Sequence, residues 1–266
     1  MRLATWNVNS LNARLDRVTE WLVATGTDVL CLQETKLADD AFPAEAFGEI
    51  GYATAHHGNG RWNGVAIVSR VGLDDPRPGF TGELAAEVEQ CRILAARCGG
   101  VDVVSVYVPN GRSVGSEHYE AKLVWLERLR VDLASLCAAG GDVAVCGDFN
   151  IAPDDRDVFD PAAFVGATHV TPEERAGLGR LLACGLVDVA RQVHPDGPGP
   201  FTWWDYRAGA FHKGEGMRID LALCSTSLAA RVRRVEVDRE ARKRSTGAGA
   251  PSDHAPLVVD LDDATG

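Results

Sequence analysis

Asp142-Val143-Ala144-Val145-Cys146-Gly147-Asp148-Phe149-Asn150-Ile151-Ala152-Pro153 is the stretch on which the reading of the chain turns. Its valine-rich apolar run is too short for a helix and reads as a buried strand. It stops at a glycine followed by Asp-x-Asn. Side chains two apart on an extended chain face the same way, so Asp148 and Asn150 would be presented together, an anionic acceptor beside a neutral amide donor. That pair suits a phosphate, a metal or an attacking water. Gly, Asp, Asn and Pro are equally the usual turn residues, so the stretch alone leaves a plain turn open. Repetition elsewhere in the chain decides between the two.

Upstream, residues 117–138 carry Tyr119, Leu123, Leu126, Leu129, Leu133 and Leu136 at three- and four-residue spacing, a helix with Lys122 one turn in and Gly140-Gly141 at its end. Before it, 91–97 and 101–110 read as strands paired across Cys98-Gly99-Gly100, the second ending in Tyr107 and then Asn110-Gly111-Arg112. Nearer the N-terminus, Leu3 to Asn9 alternates like a strand with Asn7 and Asn9 on one face, and Leu11, Leu15, Val18 and Leu22 follow at helical spacing. Residues 28–36 form a second apolar strand ending in Glu34. Glycine-rich text at 56–64 reads as loop or hairpin before a buried strand at 65–69, and residues 74–82, with two prolines and two glycines, read as loop.

Downstream, Thr171-Pro172-Glu173-Glu174 has the cap, proline and acidic first turn of a helix running to about Cys184. Phe201-Thr202-Trp203-Trp204-Asp205-Tyr206-Arg207 concentrates four aromatics. Met217 to Cys224 reads as one strand with Asp220 in its middle. A carboxylate inside an apolar strand is costly unless paired, and Asp253-His254, just before a last strand, offers the partner. Arg239, Arg242, Lys243 and Arg244 make a local basic run.

The 266 residues show no linker-like run, so a single domain over 1–266 is expected. No apolar segment resembles a signal peptide or approaches bilayer length, which predicts a soluble, cytoplasmic protein without membrane contact. Seven cysteines, scattered without a Cys-x-x-Cys pair, argue against a disulfide framework or zinc site. A net charge of −11 argues against non-specific coating of nucleic acid, so any polyanion would have to meet a local basic face.

Polar groups therefore end or interrupt at least five strands: Asn7 and Asn9, Glu34, Tyr107, Asp148 with Asn150, Asp220, and Asp253 with His254. Singly, each is most simply a turn or a satisfied pair. Jointly, strand ends converging on one side of a sheet make a site. Its oxygen-rich donors favour Mg²⁺ or Mn²⁺, with Glu34 the direct ligand.

The order and spacing of Trp6-Asn7-Val8-Asn9, Leu32-Gln33-Glu34-Thr35-Lys36, Asn63-Gly64-Val65-Ala66, Tyr107-Val108-Pro109-Asn110-Gly111, Gly147-Asp148-Phe149-Asn150-Ile151, the aromatic segment, Arg218-Ile219-Asp220 and Ser252-Asp253-His254-Ala255-Pro256 span the chain. In these the chain resembles the exonuclease III family of apurinic/apyrimidinic endonucleases, within the endonuclease/exonuclease/phosphatase fold. The resemblance implies an α+β fold, a four-layer αββα sandwich of two mixed β-sheets packed face to face with helices outside. It also implies a Mg²⁺-dependent DNA repair phosphodiesterase, acting as a monomer on double-stranded DNA with abasic sites or blocked 3′ ends.

The same resemblance assigns roles. Glu34 would hold the metal, with Asn7, Asp148, Asn150, Asp253 and His254 around it. Asp148, positioned by Asn150, would orient or deprotonate the attacking water. Asp220 would fix the tautomer of His254 and favour its charged form, and Tyr107 would donate to a phosphate oxygen or assist the leaving group. Trp203 and Arg207 would sit at an abasic sugar, and Arg92, Asn110, Arg112 and Lys122 would contact DNA. A phosphodiesterase acting on a non-DNA ester and a non-catalytic nucleic-acid-binding protein are the competing expectations.

Overall fold

The computed structural model describes residues 1–81, 90–243 and 249–262. Gly82, in the predicted loop, and Arg244, in the basic run, lie outside them. One sheet comprises β1 (Arg2–Asn7), β2 (Val29–Gln33), β3 (Ala53–His57), β4 (Val65–Ser69), β13 (Val232–Val237) and β14 (Leu257–Leu261), in the spatial order β13-β14-β1-β2-β4-β3. The other comprises β5 (Asp74–Pro78), β6 (Ile93–Cys98), β7 (Val101–Tyr107), β8 (Val143–Asp148), β9 (Leu186–Asp188) and β12 (Asp220–Ser225), in the order β5-β6-β7-β8-β12-β9. A two-stranded ribbon joins β10 (Trp203–Trp204) to β11 (Gly216–Met217).

Strand periodicity explains how the sheets meet. Leu3, Cys31 and Ile67 of the first sheet pack against Val103, Ala144, Cys146, Ala222 and Cys224 of the second, small and β-branched side chains that let two pleated faces close. The alternate residues point outward. Ala4, Trp6, Leu30 and Leu32 meet Val18 and Leu22 of α1 (Leu15–Thr25) and Phe47 of α2 (Ala44–Gly48). Val104, Val106, Val145 and Leu221 meet Leu126, Leu129 and Leu133 of α3 (Glu117–Ala138) and Leu178 and Leu181 of α4 (Pro172–Leu182). Each such leucine contributes about 1.5–3 kcal/mol of apolar burial. The result is the four-layer αββα sandwich. Ser116 caps α3, and Thr171 with Glu174 forms a reciprocal capping box on α4. Three short helices, α5 (Val189–Val193), α6 (Ala210–Lys213) and α7 (Thr226–Ala229), complete the fold.

Two predicted elements differ. Residues 74–78 pair with β6 as an irregular edge strand rather than lying in a loop, and an edge is where a sheet tolerates prolines. The strand expected over 217–224 breaks at Arg218. The fully buried guanidinium of that residue is drawn to Asp157 (2.7 and 3.0 Å) and Asp188 (2.8 and 3.0 Å). The N–H groups of Ile219 and Asp220 donate to Thr202 Oγ1 rather than to a neighbouring strand. Asp220 therefore begins β12, at the sheet's rim, and is not mid-strand. Among the described residues no helix is long and apolar enough to cross a membrane.

Candidate active site

Topology gathers the polar residues before any side chain is considered. β1 and β2 run parallel, as do β7 and β8, while β12 and β14 run antiparallel to them. The carboxyl ends of four strands and the amino ends of two consequently share one rim. Along the inner face of that rim the side chains grade from apolar to polar to charged. Leu3, Val29 and Val103 give way to Thr5, Gln33 and Ser105, linked by hydrogen bonds of 3.1 and 3.2 Å, and then to Asn7, Tyr107 and Asp148. Gly147 is required within this step, because a Cβ there would lie 1.9 Å from the carbonyl oxygen of Val106.

Asn7 ties the two sheets together. Its Nδ2 donates to Glu34 Oε1 at 2.8 Å and to Asp148 Oδ2 at 2.9 Å, while its Oδ1 accepts from the N–H of Asn9 at 3.0 Å. The amide thus turns its donors toward the two carboxylates and positions them. Asp148 Oδ1 accepts from the backbone N–H of Asn150 at 2.9 Å. Asn150, with φ of 51°, has left the strand; its Nδ2 donates to Val108 O, and its Oδ1 accepts from Asn110 Nδ2 at 3.1 Å. The amide expected to stand beside Asp148 as an open donor is therefore buried, and what it supplies is the backbone N–H that holds the carboxylate.

On the other side of Asp148, His254 is almost wholly buried. Its Nδ1 lies 2.8 Å from Asp220 Oδ2 and its Nε2 3.9 Å from Asp148 Oδ2. Burial alone would lower its pKa, but the Asp220 carboxylate, in hydrogen-bond contact, and then Asp148 and Asp253 outweigh it and raise it to about 10. An imidazolium has no lone pair to give, so in that form His254 places a positive charge beside Asp148. Asp148 is pushed to about 7, chiefly by burial, with Asp220 and Glu34 adding to the rise and His254 and Asn7 opposing it. Burial, then the same Glu34 and Asp148 carboxylates, holds Tyr107 well above the ordinary phenol value, so its hydroxyl stays a donor.

The remaining expected residues fall into three settings. Asp253 takes 3.1 Å hydrogen bonds from Asn9 Nδ2 and Trp203 Nε1, which brings the half-buried Trp203 to the rim. Arg92 stacks on Tyr107, 4.5 Å from the ring centroid, and lines a recess of about 260 Å³ with Asn110, Arg112 and His118. Arg207 is exposed, its N–H held by Asp205. Lys122 corrects the sequence reading. Its ammonium is fully buried beneath the rim, paired with Glu174 and donating to the carbonyl of Asn150, so it reaches no solvent-borne phosphate. Sequence reasoning passed over Ser252, whose hydroxyl donates to Asn7 O at 2.7 Å and accepts from the N–H of His254, and Lys36, 3.0 Å from Glu34 Oε2. Lys36 stands two residues from Glu34, and that spacing was the available signal.

Glu34, Asp148 and His254 present ligand-type atoms within 4.8 Å of one another. With His254 protonated, the donors left are carboxylate oxygens, and burial first, then the neighbouring Asp220 and Glu34 charges, disfavours the ionised form of Asp148. Oxygen donors in that condition fit a hard divalent cation.

A two-sheet sandwich with acids, amides and one imidazolium at its rim is the architecture of a family of phosphoester-cleaving enzymes. The chain belongs to the endonuclease/exonuclease/phosphatase family, which it matches over residues 4–254. Within that family it falls in the exonuclease III group of hydrolytic nucleases. It is 33% identical to exodeoxyribonuclease III of Haemophilus influenzae, over 98% of this chain and all of that protein. Its fold superimposes on a Neisseria 3′ phosphatase bound to a product DNA hairpin with a TM-score of 0.94 and 39% identity, covering 98% and 99% of the two chains. An AP endonuclease from Archaeoglobus fulgidus gives 0.92 and 37%, covering 99% and 100%.

Proposed function

We propose that this nuclease is a Mg²⁺-dependent DNA repair phosphodiesterase that cuts the backbone 5′ to abasic sites and also trims 3′ ends, as exonuclease and as phosphatase. The observation that carries this reading is the placement of Asp148, which accepts a hydrogen bond from Asn7 and faces the Asp220–His254 pair at the rim. Asp148 orients and deprotonates the attacking water. His254 sets a permanent positive charge beside the scissile phosphate, and Tyr107 keeps its proton to donate to a phosphate oxygen or the departing one. Glu34, with Asp148 and Asp253 nearby, holds the metal, which supplies charge neutralisation for the dianionic transition state.

Trp203 and Arg207 accommodate the abasic sugar, and Arg92, Asn110 and Arg112 take flanking phosphates of double-stranded DNA. The names of the relatives, a 3′ phosphatase on a DNA hairpin and an AP endonuclease, support this substrate class. The enzyme works as a monomer in the cytoplasm.

One oligonucleotide set tests the reading: an abasic duplex, a recessed 3′ end and a 3′-phosphorylated end, with and without EDTA, beside a soluble phosphoester. Abasic incision should exceed soluble-ester turnover and vanish with EDTA. Asp148→Asn should lose about 10²–10⁴ in rate. Near-full incision by that variant, or by the EDTA-treated enzyme, would overturn the assignment.

A further inference from the structure

Both oxygens of Glu34 already have partners. Oε1 accepts from Asn7, and Oε2 lies 3.0 Å from the ammonium of Lys36, which also donates to Asn9 Oδ1 at 2.6 Å. The backbone enforces this arrangement. Glu34 and Lys36 both have left-handed φ, 53° and 55°, a conformation that side-chain-bearing residues adopt only when their surroundings hold them. Ser10 N–H donates to Glu34 O at 2.7 Å, Thr35 N–H to Gly64 O at 3.2 Å and Lys36 N–H to Asn63 O at 2.9 Å. The tight turn brings the Lys36 ammonium back onto the carboxylate that precedes it by two residues. Asn9 then links Lys36 to Asp253, so a hydrogen-bonded arc runs from Asp148 through Asn7, Glu34, Lys36 and Asn9 to Asp253. Lys36 is the cation in that arc.

We propose that Lys36 is the resident counter-cation of Glu34, occupying the charge position a divalent metal takes and thereby weakening metal binding enough to keep the metal exchangeable. The proposal rests on the metal reading given above. A divalent ion reaching Glu34 Oε2 must compete with an ammonium in contact with that oxygen, and the two positive charges repel at short range. Neutralising Lys36 removes the competitor while Asn7 still fixes the other oxygen of Glu34. Were Lys36 only a brace for Glu34, its loss would loosen the carboxylate and weaken metal binding. The two accounts predict opposite signs.

The test is calorimetric titration of Mn²⁺ into the DNA-free protein at constant pH and ionic strength. Relative to wild type, Lys36→Gln should bind Mn²⁺ about 5- to 10-fold more tightly. Lys36→Arg, which keeps the charge, should stay within about twofold, and Glu34→Gln should lose most of the affinity. Lys36→Met, which retains the aliphatic stem, repeats the measurement should the glutamine variant fold poorly. Unchanged or weaker Mn²⁺ binding by variants whose melting temperature matches wild type overturns the role of Lys36 and leaves the metal site standing. Absence of saturable Mn²⁺ binding by the wild-type protein overturns both.

Discussion

Two buried ion pairs lie on either side of Asn150. Lys122 and Glu174 bridge α3 and α4 beneath the rim, and Asp220 and His254 join β12 to the loop before β14 at the rim itself. The first is saturated. Lys122 also donates to the carbonyl oxygens of Asn110 and Asn150, and Glu174 accepts from Thr168 Oγ1 and from both the N–H and the hydroxyl of Thr171. The second is not. Among the described residues Asp220 Oδ1 has no hydrogen-bond partner, and His254 Nε2 faces Asp148 across 3.9 Å, a gap too long for a hydrogen bond. Both pairs are shielded from water, and each holds at least one group of shifted acidity, Lys122 and Glu174 in the first and His254 in the second, so burial and pKa shift do not tell them apart. Unsatisfied bonding capacity does, because a group with nothing left to bond can support structure but cannot meet a substrate.

The largest effects should come from cutting the unsaturated pair. Asp220→Asn keeps the shape but removes the charge that holds His254 protonated, and His254→Gln removes the cation itself. Each should lower the rate of DNA cleavage by about 10²–10⁴. Asp220→Asn leaves a neutral amide against an imidazole that can lose its proton, so its melting temperature should change little, whereas His254→Gln leaves the buried Asp220 carboxylate without its cation and should lower it. A variant of either residue that unfolds the protein while the remaining folded fraction keeps full activity would erase the distinction between the pairs.

Cutting the saturated pair should do the reverse. Lys122→Met leaves Glu174 as an uncompensated charge in the interior, a change that costs about 3–5 kcal/mol of stability. Chemical denaturation measures it. Turnover of the folded enzyme at saturating substrate should stay within a few-fold of wild type, since no Lys122 atom reaches the cleft. Replacing both partners with apolar residues should restore much of the lost stability. A stable but inactive Lys122→Met would place that lysine back among the functional groups, where its sequence position first suggested it belonged.

That reversal shows where the sequence stops being informative. Period-two alternation is local, so Asn7, Tyr107 and Asp148 were legible as strand-end residues, and the cost of a buried charge was enough to demand a partner for Asp220. The fold followed from the same apolar strands and amphipathic helices. Lys122 was misread because its surroundings are set by Glu174 on another helix, a contact that no local pattern encodes. The break at Arg218 was hidden for the same reason, since its partners are distant in sequence, Asp157 on a helical turn and Asp188 at the end of β9. The edge strand at 74–78 was masked by its own prolines, while the spacing of Lys36 from Glu34 hinted at a pair but not at the two left-handed residues that close it.

A smaller effect sharpens the comparison through pH. In the metal-free protein the Asp148 pKa is raised to about 7 from an ordinary carboxylate value near 3.8. The native state therefore holds a proton that the unfolded chain has released, and this proton's contribution to stability is fully present below about pH 4 and lost as pH rises through about 7. Asp148→Asn, which does not ionise, should gain steadily on wild type from about pH 4 to about pH 7, and the gap should level off above that. Melting curves in EDTA at pH 5, 6, 7 and 8 give the comparison. Cleavage by wild type, which is assayed with metal present, should rise with pH as Asp148 becomes able to accept a proton, at a lower pH than in the metal-free protein because a cation nearby favours the carboxylate. A stability gap that does not widen with pH would mean that Asp148 is already ionised at pH 5.

The smallest effects belong to the rim, where charges are solvated and the bonding left over is to water. Arg112 is exposed at the mouth of the recess shared with Arg92 and Asn110, so it gains little by staying folded and has a long, mobile side chain free to meet a phosphate. Arg112→Ala should leave both the melting temperature and the maximal rate unchanged. DNA affinity should fall a few-fold, and the slope of log affinity against log salt should lose about one unit if Arg112 neutralises one phosphate. In a chain of net charge −11 such contacts must be few and local, so each should be visible in the salt slope. Fluorescence anisotropy of a labelled abasic duplex, with metal omitted to prevent cleavage, measures both quantities. An unchanged slope would move the phosphate-binding face away from this recess.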